Sequence, residues 1–199
     1  MASTKVLHPV PARLMHAIQI LAIVALAVTG YFINKASFPF FTMSMATVRT
    51  IHFWAMFIVL LNLVVRFYWA IFGTNGDIKE FLPQKENRGT FFPMLSYYTF
   101  MRKTKPMTGK YNTLQKVTYS FWYFLLIFQG LTGFAMYWKG NPLFAPVIVA
   151  AGGLLNLYAI HYITMWVFVV ITMVHVYLVL FDDFSSVKQM ILGLGSERA

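Results

Sequence analysis

YAIHYITMWVFVVITMVHVYLVLF, residues Tyr158–Phe181, carries no aspartate, glutamate, lysine or arginine, yet it holds two histidines, His161 and His175. An ionisable side chain inside such a run is costly if the run lies in lipid, so each one needs a partner or a task. The composition of the chain puts the run there. Of 199 residues, 59% are hydrophobic and 11% charged, and the mean hydropathy is +0.64. A soluble domain needs apolar residues on only one side of its helices.

A membrane span takes about 20 consecutive apolar residues. Four stretches qualify: Leu14–Asn34, Thr50–Phe72, Val117–Trp138 and Gly140–Phe181. The last would reach roughly 60 Å as one helix, about twice a bilayer core. Pro142, Pro146 and the Gly152-Gly153 pair interrupt its first half, which reads as an outer connector followed by one helix. No polar turn divides it into two spans, which disfavours a five-span alternative. The expected fold is therefore all-α and integral to the membrane. It is a four-transmembrane-helix bundle with spans over residues 13–34, 48–72, 116–138 and 154–181 and a loop over 73–115. With no sequence repeat or low-complexity tract, residues 1–199 read as a single domain.

The net charge of +10 is unevenly placed. Eight Lys and Arg, from Lys79 to Lys116, lie between the second and third spans; Lys5 and Arg13 precede the first, and Lys188 and Arg198 follow the last. The other side has only Lys35, Arg49 and Lys139. The positive-inside rule then places both termini and the long loop in the cytoplasm. Topology accounts for the basic loops, and no pattern for reading nucleic acid accompanies them. The start, MASTKVLHPVPARLMHAIQILAIVALAVTG, is long for a secretory signal and lacks an A-x-A site, so it reads as an uncleaved first helix. With no cysteine in the chain, disulfides, iron–sulfur ligation and a C-x-x-C-H haem attachment are excluded within it.

Topology also sorts the five histidines. His8 precedes the first span beside Pro9 and Pro11 and reads as a loop residue. His16 and His175 fall near the cytoplasmic face, and His52 and His161 near the outer one. His161 and His175 are 14 residues apart, which sets them within about 40° of each other and about 21 Å apart on one helix. One imidazole pair at each level is what two b haems stacked across the membrane require, since two imidazoles fill both axial positions of a haem iron. A lone histidine also serves to bond a carbonyl or line a proton path, but four matched by depth do not reduce to that. The two levels are too far apart to share one zinc ion.

The interval of 14 recurs at His16 and Gly30, and at His52 and Arg66. Gly30 would let a porphyrin face approach the helix backbone, or serve as a packing glycine. Arg66 within a span needs an anion, for which a haem propionate is suited. Arg13 in RLMH and Arg49 in RTIH each stand three residues before a histidine, on the same helix face, and so are candidates for the propionates too. Arg13 also fits a plain positive-inside anchor.

The first-span stretch RLMHAIQILAIVALAVTG resembles the first-helix signature of b-type cytochrome subunits of nickel-iron hydrogenases, R-x-x-H-W ending in T-G, with Ala17 in place of the tryptophan. YAIHYITMWVFVVITMVH resembles their last-helix signature, with Tyr158 and Tyr162 where basic residues are usual and Ile171 for a phenylalanine; RFYWAIFG after the second span fits as well. GKYNTLQK, residues 109–116, is similar to a stretch of formate dehydrogenase gamma subunits, and thiosulfate reductase cytochromes are similar again.

The resemblance implies two non-covalent b haems, one ligated by His52 and His161 and the other by His16 and His175, the same pairing that depth suggests. It implies menaquinone or ubiquinone reacting near the cytoplasmic haem, with Asn112 lining that pocket and Lys110, Tyr111 and Gln115 as neighbours. Asn112 equally suits an N-cap for the third span. The implied partners are an iron–sulfur subunit on the outer face and its catalytic subunit, a nickel-iron hydrogenase or a molybdopterin enzyme, which hold most of the catalytic chemistry. The implied location is the bacterial or archaeal cytoplasmic (inner) membrane. Two rivals stand beside this membrane-anchoring electron conduit: a stand-alone di-haem superoxide:quinone oxidoreductase, and a haem-free anchor for a peripheral complex.

Overall fold

The computed structural model describes residues 9–35, 42–73, 78, 89–106, 113–182 and 184–193. Among them every regular element is a helix: α1 (Val10–Asn34), α2 (Met45–Phe72), α3 (Phe91–Tyr98), α4 (Thr113–Tyr137), a 3-10 turn (Pro142–Phe144), α5 (Ala145–Ala150), α6 (Leu154–Asp182) and α7 (Phe184–Leu192). The boundaries follow local chemistry. Pro9 and Pro11 open α1, where the missing N–H groups cost nothing. Ser44 Oγ accepts from the Thr47 amide at 3.1 Å and caps α2. Gly152 and Gly153 take φ of +78° and +109°, conformations that side chains resist, so α5 stops there and α6 starts afresh at Leu154.

Three of these helices are long and apolar enough to cross a membrane: Val10–Asn34, Met45–Phe72 and Leu154–Leu180. The expected third span is a 25-residue helix, α4, but Lys116, Gln129 and Thr132 dilute its apolar character. The loop expected over 73–115 contains a short helix, α3, ended by Phe100 at a φ of +62° in place of the usual glycine. 

Contacts group the chain into two units, Met1–Arg66 with Phe128–Ala199, and Phe67–Ile127. In the first, the spans are apolar all round and expose large residues such as Leu21 and Leu155, as a lipid-facing surface would. Many of their buried positions are small or hydroxylated, Ala12, Ala22 and Thr29 on α1, Ala55 on α2, Thr132 and Ala135 on α4, beside larger ones such as Met15, Phe32, Val48 and Leu157. Helices have no hydrophobic drive to associate within lipid, so small residues that let backbones approach mark their interfaces. At Gly130 of α4 an added Cβ would lie 3.0 Å from Leu60 of α2. Asn62 Nδ2 of α2 donates to Met15 O at 2.9 Å and to Gln19 Oε1 at 2.6 Å on α1. Phe53 stacks on Tyr137 at 4.3 Å and meets Trp138 edge-on at 6.2 Å, tying the end of α4 to α2. In the second unit, Thr90 and Thr113 share a hydroxyl hydrogen bond of 2.7 Å.

Candidate haem-binding site

The four intramembrane histidines come from three helices, His16 from α1, His52 from α2, and His161 and His175 from α6, and all are half-buried. His161 lies within electrostatic reach of His52, and His175 within reach of His16.

The His52–His161 level is built twice over from one design. On α1, Thr29 Oγ1 donates to Ala25 O at 2.5 Å, and His52 Nδ1 lies 2.8 Å from the same oxygen. On α4, Thr132 Oγ1 donates to Phe128 O at 2.9 Å, and His161 Nδ1 lies 2.7 Å from it. A threonine hydroxyl has one proton and two lone pairs. With the proton directed at the carbonyl one turn back, the oxygen can only accept from the ring. Nδ1 is therefore the protonated nitrogen in both imidazoles, and Nε2 keeps its lone pair for a metal.

The residue after each threonine is a glycine. A Cβ on Gly30 would lie 3.3 Å from His52 Cε1 and 3.3 Å from Met165 Sδ. One on Gly133 would lie 3.5 Å from His161 Cε1 and 3.5 Å from Met56 Sδ. Met56 and Met165 each follow their histidine by four residues, in HFWAM and HYITM. Side chains and glycine faces of α1, α2, α4 and α6 thus meet at this level. Gly30 is accounted for by room for an imidazole edge. Gln129, one turn before Thr132, donates from Nε2 to His161 O at 3.1 Å, so both polar groups in the middle of α4 serve the same histidine.

The arginines separate. Arg13 Nε donates to Met190 O at 3.2 Å and Nη2 to Ile191 O at 3.4 Å, capping the end of α7. Arg49 is exposed at the start of α2, and Arg66 is half-buried on the same helix. Asn112, Lys110 and Tyr111 lie outside the described residues, while Gln115 falls in the first turn of α4. The residues that sequence reasoning missed are Thr29, Thr132, Gly133, Gln129 and the two methionines. A signal for them was present: T-G occurs in both VTG and LTG, and H-x-x-x-M in both histidine segments.

Residues 7–193 match the pattern of prokaryotic cytochrome b561. The chain belongs to that family. It is 31% identical to a probable Ni/Fe-hydrogenase B-type cytochrome subunit of Azotobacter vinelandii, over 92% of this chain and 83% of that one. Its counterpart in Cupriavidus necator is 32% identical over 94% and 84%, and the hydrogenase 1 subunit of Escherichia coli K12 is 27% identical over 94% and 89%. As a member of a membrane cytochrome family the chain is an electron-transfer protein with several membrane-spanning helices. A b-type cytochrome holds its haem without covalent attachment, and the absence of cysteine agrees with that. At the His52–His161 level the donor set fits such a group: two imidazoles from facing helices, each with Nδ1 bonded to a threonine and Nε2 left as the coordinating atom.

Proposed function

We propose that this chain is the membrane-anchoring di-haem cytochrome b subunit of a respiratory oxidoreductase complex, a single domain built as a four-span bundle with both termini in the cytoplasm. The observation that carries the reading is the pairing of the four histidines, with both members of the outer pair held in the Nε2-coordinating tautomer by Thr29 and Thr132. His52 and His161 would hold the haem nearer the outer face, and His16 and His175 the one nearer the cytoplasm. Held by an imidazole pair at each level, such haems would supply one-electron transfer across the lipid.

The remaining work falls to the chain's own residues. The helix faces exclude water from the imidazoles, and Arg49 and Arg66 offer cations to propionates. Arg13, committed to α7, orients the inner end of α1. Near the cytoplasmic level, Asn112 and its neighbours bind menaquinone or ubiquinone, which takes up two electrons and two cytoplasmic protons to become quinol. The electrons originate in an iron–sulfur subunit and its catalytic subunit docked outside. The relatives' names point to a nickel-iron hydrogenase rather than a molybdopterin enzyme for that role. They likewise favour this partner-dependent reading over a stand-alone superoxide:quinone oxidoreductase. The location is a bacterial cytoplasmic membrane.

Purification of the chain from membranes should yield two haem b per polypeptide by the pyridine haemochrome spectrum. Alanine at His52 or at His161 should remove the same haem, and alanine at His16 or at His175 the other. A haem-free chain, or His52 and His161 variants that lose different haems, refutes the assignment.

A further inference from the structure

We infer that Thr29 and Thr132 are a matched pair of positioning residues that together tune one redox centre, the outer one, by accepting hydrogen bonds from the Nδ1–H groups of both its imidazoles. The inference rests on the reading of His52 and His161 as the two axial ligands of one haem. The two threonines stand on α1 and α4, which carry no ligand at that level, so the tuning comes from the pair of helices opposite the ligating pair.

The physical chain is short. Each hydroxyl proton is directed at a carbonyl one turn back, at 2.5 Å for Ala25 and 2.9 Å for Phe128. Each hydroxyl oxygen is then a firm acceptor, 2.8 Å from His52 Nδ1 and 2.7 Å from His161 Nδ1. A donated N–H draws electron density through the ring to Nε2 and makes the ligand more basic. Two more basic ligands favour the ferric over the ferrous state, so the pair lowers the reduction potential of that haem. The same bond, with Gly30 or Gly133 against the Cε1 edge, also fixes the rotation of each ring about its side chain. Because both ligands are treated alike, the two contributions act on one iron and in one direction.

The test uses the full chain with its haem, carrying Thr29→Val, Thr132→Val, Thr29→Ser or Thr132→Ser. Valine keeps the shape and removes the acceptor, and serine restores it. Redox titration of the visible bands should show each valine variant raising the midpoint potential of the same single haem, with the other unmoved. The shift is up to about ten-fold in the redox equilibrium, or about 59 mV for one electron. Serine variants should titrate near the native value. Unmoved potentials, serine behaving like valine, or the two valine variants shifting different haems overturns the inference.

Should a valine variant fail to accumulate, electron–nuclear double resonance on the native protein decides the matter. Two exchangeable, hydrogen-bonded Nδ1 protons on the ligands of one haem support it, and their absence overturns it. A native chain without haem sinks the functional reading itself. A native chain with both haems and unresponsive potentials sinks only the role of the threonines.

Discussion

A glycine beside an imidazole is a steric statement, and the two in this chain differ in a measurable way. At Gly30 a methyl group would crowd both the His52 ring and Met165 at 3.3 Å. The ring cannot swing aside without losing its bond to Thr29. At Gly133 the corresponding contacts are 3.5 Å, ordinary van der Waals distance. Gly30→Ala should therefore lower the thermal stability of the haem-loaded protein by about 1–3 kcal/mol, the usual range for overpacking, and shift the spectrum of the outer haem. Gly133→Ala should stay within about 0.5 kcal/mol of the parent. Equal effects in the two melting curves would show that the rings are not held as described. The histidines themselves were legible in the sequence, because ionisable groups stand out against an apolar run. The threonines were not. A hydroxyl in a span satisfies itself on its own helix backbone, so the repeated T-G pair is visible in the sequence but the ring it meets on another helix is not.

At the scale of elements, Arg13 shows how one side chain can satisfy two sequence arguments and serve a third purpose. Its place before His16 suggested a propionate, and its charge suggested an inner anchor. In the structure its guanidinium donates to the Met190 and Ile191 carbonyls at the end of α7, groups that a helix terminus leaves without internal partners. Arg13→Gln should release that terminus. Amide exchange over residues 189–193 should quicken, and stability should fall by about 0.5–1.5 kcal/mol. Unchanged exchange there would return Arg13 to a role elsewhere. The boundaries of α6 were readable from Gly152 and Gly153, since their backbone demands are local. α3 was not, because its eight residues lie within a polar, basic segment that reads as loop.

For the whole molecule, the number and direction of spans decide whether electrons cross the lipid. The absence of natural cysteine makes this directly testable. With four spans, single cysteines at Lys35 and Asn141 should react with a membrane-impermeant maleimide from outside, and those at Lys103 and Lys188 only after the inner face is opened. If α4 does not cross, Asn141 and Lys188 exchange sides. The sequence alone determined the class of protein: hydropathy, the bias of lysine and arginine, and four histidines at two depths follow from composition and spacing, which lipid reads without reference to any fold. Tertiary structure decided how α4 takes part. Its Gln129 and Thr132 weaken it as an apolar span, and only the position of α6 shows that both are directed at His161. The structure likewise revealed that Thr29-Gly30 and Thr132-Gly133 are two halves of one site. Such a relation joins residues about a hundred positions apart, and no short-range periodicity carries information over that distance.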